Sequence, residues 1–163
     1  MKLLIQSILL TVIFTIITGI LYPLTITGIA QVAFPRQANG DATLLAQKFT
    51  SDKYFWPRPS ACDYATIPSG ASNLGPTSAA LQSNVAARAS LPVDLRYTSG
   101  SGLDPHISPE AARFQIERVA KARGLPVEKV TGLVEQFIES PQFAFLGEPR
   151  VNVLKLNLAL EKL

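Results

Sequence analysis

The chain has 163 residues, of which 47% are apolar and only 17% charged. An average soluble domain carries roughly 25% charge. The formal net charge is +3, yet no run of Lys and Arg marks a face for nucleic acid. Composition also excludes collagen, a long coiled coil and wholesale disorder.

The charge deficit is local. After Lys2 no charged residue occurs until Arg36. Without residues 1–33 the chain keeps 14 of its 15 basic residues and all 12 acidic ones, so the remainder is near balance. A helix crosses roughly 30 Å of hydrocarbon with about 20 apolar residues, and Leu3–Tyr22 supplies them alone. Pro23 falls toward the far end, and Tyr22 is an amphipathic ring suited to interface depth. This predicts a transmembrane anchor over residues 1–33 in contact with membrane lipid. The competing reading is a cleaved signal peptide, with Lys2 as its basic start and Gly28-Ile29-Ala30 as its cleavage site. Signal sequences, however, have apolar regions of about 7–15 residues and a polar segment before the cut. Gly19 and the threonines either face another helix or are passengers in lipid. A short N-terminal stub is easily kept in the cytosol, which predicts that residues 34–163 lie outside.

Residues 34–163 are of single-domain size and predict a mixed α and β (α+β) soluble domain with a small sheet. Ala42–Phe49 suits a short strand or a helical turn. Phe55–Pro59 is irregular, because its prolines restrict themselves and their predecessors. Ile67–Pro76 reads as a loop. Thr77–Ala89 has helical composition, with Leu81, Val85 and Arg88 on one stripe, and Leu91-Pro92 ends it. Val93–Tyr97 has strand character, and Thr98–Leu103 is a second loop. Ser108-Pro109-Glu110 is a helix start: a capping hydroxyl, proline in the first turn and an acid at the positive end. The helix is predicted from Pro109 to about Arg123, with Gly124 as its left-handed stop. Ala112, Ile116, Val119 and Ala120 form its buried stripe. A second helix is predicted over about Pro126–Glu139. Val151–Leu160 alternates like a half-buried strand. Its parity switches between Val153 and Leu154, which predicts a bulge or a change to helix.

Chemistry is sparse. The single cysteine, Cys62, forbids an internal disulfide and a cysteine-based zinc site. The single histidine, His106, forbids a histidine-rich metal centre. A Cys62–His106 nucleophilic pair is arithmetically possible, but each residue is equally suited to local packing or capping. No phosphate-binding Gly-x-x-x-x-Gly-Lys, no Gly-x-Ser-x-Gly elbow and no glycosidase carboxylate pair occurs. Ser69–Gly75 and Thr98–Gly102 offer backbone amides to an anion, but neither is followed by a lysine that reaches a phosphate. These residues alone describe a membrane-anchored α/β domain without a visible active site.

Five segments carry a likeness. Phe34–Gly40, Tyr54–Ser60, Ser69–Pro76, Ser99–Ser108 and Val151–Leu160 resemble, in order and across essentially the whole chain, the C-subunit family of Kdp-type potassium-transporting P-type ATPases. Pro57 and Ala71 stand where the family tends to carry glycine. The resemblance implies an accessory subunit, needed for assembly and activity, of a high-affinity, ATP-driven potassium uptake complex in a bacterial inner membrane. It implies three partners: a channel-like potassium-selecting subunit, an ATP-hydrolysing P-type subunit and a small stabilising subunit. It implies no catalytic residue, no covalently bound cofactor and no metal site in this chain, with potassium as the transported ion.

Two mechanisms go with it. One is a periplasmic cap beside the potassium entrance. The other raises the pump subunit's ATP affinity through a transient nucleotide-binding complex. A domain outside the membrane cannot meet cytosolic ATP, which favours the cap. The expected partner or ligand contacts are Ser69, Gly70, Ser72, Asn73 and Gly75 in one loop, and Ser99, Ser101 and Asp104 in the other, because the polar backbone there is free to pair. The alternatives are an independent anchored periplasmic enzyme, which needs Cys62 and His106 close together, and a nucleotide-binding module.

Overall fold

A computed structural model describes residues 1–163, which fall into two units, Met1–Ala42 and Thr43–Leu163. The first is dominated by continuous helix from Lys2 to Ala33. It comprises α1 (Lys2–Ile16), a π turn (Ile17–Leu21) and α2 (Tyr22–Ala33). The π turn ends two residues before Pro23. Proline has no N–H for the carbonyl four residues back, and the ladder shifts register just before it, with Tyr22 N–H donating to the Ile17 carbonyl. None of these helical residues is buried. Four of the threonine hydroxyls need no outside partner: Thr11, Thr15, Thr18 and Thr25 each donate to the carbonyl four residues earlier, at 2.7–2.8 Å. In hydrocarbon, where a bare polar group is costly, this internal satisfaction removes the penalty. A short helix, α3 (Pro35–Ala38), follows.

Where the second unit begins, the Ala42–Phe49 segment takes the helical option, as a 3-10 turn over Ala42–Leu44. The loops at Phe55–Pro59 and Ile67–Pro76 are irregular as expected. Helix α4 (Ala79–Ala86) is capped by Ser78, whose Oγ accepts from Leu81 N–H.

Val93–Tyr97 is not a strand. Val93–Arg96 forms one helical turn, α5. Pro92 precedes it with φ fixed at −54°. Asp94 sits at the positive end, where its charge is favourable, and its carboxylate accepts from Ser108 N–H at 2.5 Å. β propensity lost because no strand pairs with this segment.

The helix predicted from Pro109 to Arg123 exists but is broken. Ser108 caps α6 (Pro109–Phe114), and α7 (Ile116–Arg123) ends at Gly124 with φ +68°. Gln115 interrupts them at φ −88°, ψ −8°, its N–H turning to Ala112. The expected stripe of Ala112, Ile116, Val119 and Ala120 is buried. The next helix, α8 (Val127–Gln136), is shorter than expected, because Ile138–Glu139 joins the sheet as β2.

The sheet is small and antiparallel, with order β1-β3-β2. Strand β1 is His106–Ile107 and the central β3 is Arg150–Asn152. His106 faces Asn152, and Val151 stands between Ile107 and Ile138. At Val153 the chain turns into α9 (Val153–Leu160). The parity switch therefore marks a change to helix rather than a bulge. Asn152 makes the change: its Oδ1 caps Lys155 N–H at 3.0 Å, and its Nδ2 donates to the Thr43 carbonyl at 2.6 Å. The core gathers Phe55, Ile107, Val119, Val130, Val134, Val151, Val153, Leu156 and Leu160.

Candidate functional site: two adjoining loops and an aromatic cleft

The two Gly/Ser loops lie side by side. Thr98 Oγ1 is 3.5 Å from Ser72 Oγ. Gly102 adopts φ +72° against the other loop, and a Cβ there would meet the Gly70 carbonyl at 2.8 Å and collide with Cys62 Sγ. Only glycine combines that backbone with that close approach. Ser69, Asn73, Gly75 and Ser101 are exposed, while Gly70 and Ser72 are half-buried. Ser101 Oγ accepts from Leu103 N–H, and the Gly75 carbonyl accepts from Ser78 N–H at the start of α4. Ser99 is buried and pins its loop through N–H to the Pro59 carbonyl at 3.0 Å.

Asp104 closes the second loop. It accepts from Arg58 Nη1 at 3.2 Å and from His106 N–H at 3.0 Å, with His106 Nδ1 at 3.7 Å. Burial pushes its carboxyl pKa up, but the His106 donors and the Arg58 charge outweigh this and hold it below the usual aspartate value. It lines a polar cleft of about 520 Å³ with Arg58, Asp94, His106, Glu148 and Arg150.

Cys62 and His106 have separate partners. The Cys62 thiol is 3.3 Å from Ser60 Oγ and points at the Ala65 and Gly102 carbonyls. The Ser60 hydroxyl and the Gly70 backbone lower its pKa. No hydrogen bond joins it to His106, and no group of three or more His, Cys, Asp or Glu is arranged to hold a metal ion.

A third feature escaped sequence reasoning. The main chain of Phe55 and Trp56 is gripped by two buried amides. Asn157 Oδ1 accepts from Phe55 N–H at 2.9 Å, and its Nδ2 donates to the Phe55 carbonyl at 3.0 Å. Gln115 does the same for Trp56, at 2.8 and 3.1 Å. The Arg118 guanidinium lies 3.8 Å from the Trp56 ring centroid and donates to Gln115 Oε1 and to the Asp52 and Tyr54 carbonyls. The segment borders a cleft of about 570 Å³ that includes Phe49, Trp56, Pro59, Tyr64, Phe114 and Arg118. The available signal was polar residues at buried helical positions, Gln115 beside the Ala112–Ile116 stripe and Asn157 inside an apolar run. What they hold is far away in sequence.

The family described as KdpC: K+-transporting ATPase, c chain matches residues 4–162. The chain is similar to three proteins named potassium-transporting ATPase KdpC subunit. The one from Geobacter sulfurreducens is 47% identical over 100% of this chain and 99% of its own length. That from Pseudomonas putida F1 is 50% identical over 94% and 92%. That from Rhodospirillum rubrum is 49% identical over 91% and 89%.

Proposed function

The chain belongs to the family of the K+-transporting ATPase c chain, KdpC, and from that premise we propose that it is the accessory, non-catalytic subunit of an ATP-driven potassium uptake complex. Potassium is the cargo. The partners are a channel-like potassium-selecting subunit, an ATP-hydrolysing P-type subunit and a small stabilising subunit. The observation that carries this reading is the family match along residues 4–162, which takes in the apolar helix Lys2–Ala33 from its third residue onward as well as the folded unit.

The helix anchors the chain once in the inner membrane, and residues 34–163 form the periplasmic domain. There the Ser69–Gly75 and Ser99–Asp104 loops meet another subunit beside the potassium entrance. Supporting this, the loops adjoin through Gly70 and Gly102, and Ser69, Asn73 and Ser101 are exposed. A domain so placed acts on assembly and on the approach of potassium, and does not touch cytosolic ATP.

Topology is the test. Single cysteines at Ser69, Ser101 and Leu163, in a Cys62→Ser background, are challenged in intact cells with a membrane-impermeant maleimide. Labelling at all three sites, with co-purification of polytopic partners, is the expected result. Protection until lysis would reverse the orientation and bring forward a subunit that raises ATP affinity from the cytosolic side.

A further inference from the structure

Three consecutive residues, Arg58, Pro59 and Ser60, hold the Ser99–Asp104 loop at three points. Arg58 Nη1 donates to Asp104 at the end of the loop, at 3.2 Å. The Pro59 carbonyl accepts from Ser99 N–H at its start, at 3.0 Å. Ser60 acts at the middle, through a turn. Its Oγ accepts from Tyr64 N–H at 2.9 Å and from Cys62 N–H at 3.3 Å. The turn sets Cys62 Sγ against Gly102, where an added Cβ would collide with it, and beside the Gly70 backbone, which hydrogen-bonds the thiol. Of the three ties, this one reaches the Ser69–Gly75 loop as well.

The turn is strained. Asp63 and Tyr64 follow one another at φ +52° and +62°, a region that residues with a Cβ enter only at a cost. Such strain persists only where the surroundings over-determine the backbone. None of residues 60–65 belongs to the hydrophobic core. The Lys48–Asp63 pair is exposed on both sides, and pairs of that kind contribute little. The restraints that remain are the Ser60 hydroxyl, the Cys62 carbonyl accepting from Ala65 N–H at 3.0 Å, and the Tyr64 hydroxyl donating to the Arg58 carbonyl at 2.9 Å. Ser60 is the one at the junction itself, its Oγ 3.3 Å from where a Cβ on Gly102 would stand.

We infer that Ser60 is a positioning residue for the partner surface: its hydroxyl holds the strained Asp63–Tyr64 turn that seats Cys62 between the two loops, and so sets their spacing. The inference rests on the reading of these loops as the contact with another subunit. Without the hydroxyl, two N–H groups lose their acceptor, Asp63 and Tyr64 relax to negative φ, and Cys62 leaves the junction while the core stays packed.

Ser60→Ala, Ser60→Thr and Ser60→Ala with Asp63→Gly are made in the full chain, each also co-expressed with the other subunits of the complex. Cys62 is the only cysteine, so the rate of its alkylation by N-ethylmaleimide, followed against pH, reads the junction directly. In Ser60→Ala the inflection is expected to move up toward the ordinary thiol value of about 8.5, the alkaline rate to rise severalfold, and co-purification of the other subunits to fall. Ser60→Thr keeps the oxygen and restores all three. Adding Asp63→Gly to Ser60→Ala restores the alkaline rate in part, because glycine adopts left-handed backbone without strain. An unchanged alkylation profile in Ser60→Ala overturns the inference. Loss of the thermal transition in that variant, not recovered by Asp63→Gly, overturns it by making Ser60 a support of the whole fold. A freed thiol with full co-purification overturns it too, and leaves the loop reading standing if Asn73→Arg and Ser101→Arg block assembly. Full co-purification in all of these variants overturns the loop reading and the inference with it.

Discussion

Asn157 on α9 and Phe55, 102 residues earlier, exchange a reciprocal pair of hydrogen bonds between a side-chain amide and a main chain. The pair reproduces what a neighbouring strand supplies, in a place where no strand lies. Phe55 and Asn157 are both buried, so neither main-chain group of Phe55 has water as a substitute.

Asn157→Ala is therefore expected to cost about 3 kcal/mol. It strands one buried donor and one buried acceptor, each worth roughly 1–3 kcal/mol. Urea unfolding of the full chain in detergent measures this. Wild-type stability in the variant would mean that the pair contributes nothing.

Arg118→Lys is expected to destabilise by about 1–2 kcal/mol. Lysine keeps the charge but loses the planar stack on Trp56 and the fork that reaches two carbonyls and Gln115. Trp56 is the only tryptophan, so its emission reports the change directly. An unaltered spectrum and an unaltered Tm would remove Arg118 from this role.

Gly102→Ala is expected to cost about 2–4 kcal/mol, combining left-handed strain with overpacking between the loops. Cys62→Ala should restore part of this, since the Gly70 carbonyl still stands at 2.8 Å from the added Cβ. A double-mutant cycle in thermal melts decides it: strict additivity would mean that Cys62 and Gly102 do not press on one another.

Asp104 supplies an acid-limb dependence. Its carboxyl is burdened by burial but held low by His106 and Arg58, so the unfolded chain takes up this proton first. Its contribution is fully present above the ordinary carboxylate range of about pH 4. It is lost as pH falls through the lower folded value. Glu139, paired with Lys155 and Arg150 against its own partial burial, adds in the same direction. Asp104→Asn should flatten the stability curve below about pH 4. An unchanged acid slope would show that the carboxylate has no net tie to the fold.

Some of this protein was settled locally. A charge-free run longer than a bilayer is thick needs only its composition to become an apolar helix. Ser108-Pro109-Glu110 and Gly124 punctuate helices because capping groups and left-handed backbone act within a few residues. The switch from strand to helix at Val153 was visible as a change of hydrophobic period, and Asn152 beside it was the cap. Its choice between bulge and helix was left to packing. Other features depended on residues far apart. Val93–Arg96 has strand-prone residues but became a helical turn, because β structure requires a partner that only the assembled fold supplies. Gln115 broke a helix that its own sequence would continue, since its amide serves Trp56. The two loops were legible as loops from their glycines and serines. That they adjoin depends on Gly102 meeting Gly70, a contact no local pattern encodes. The reason is common to these cases: periodicity and capping are short-range, whereas a buried polar group is satisfied by whichever distant main chain the core brings to it.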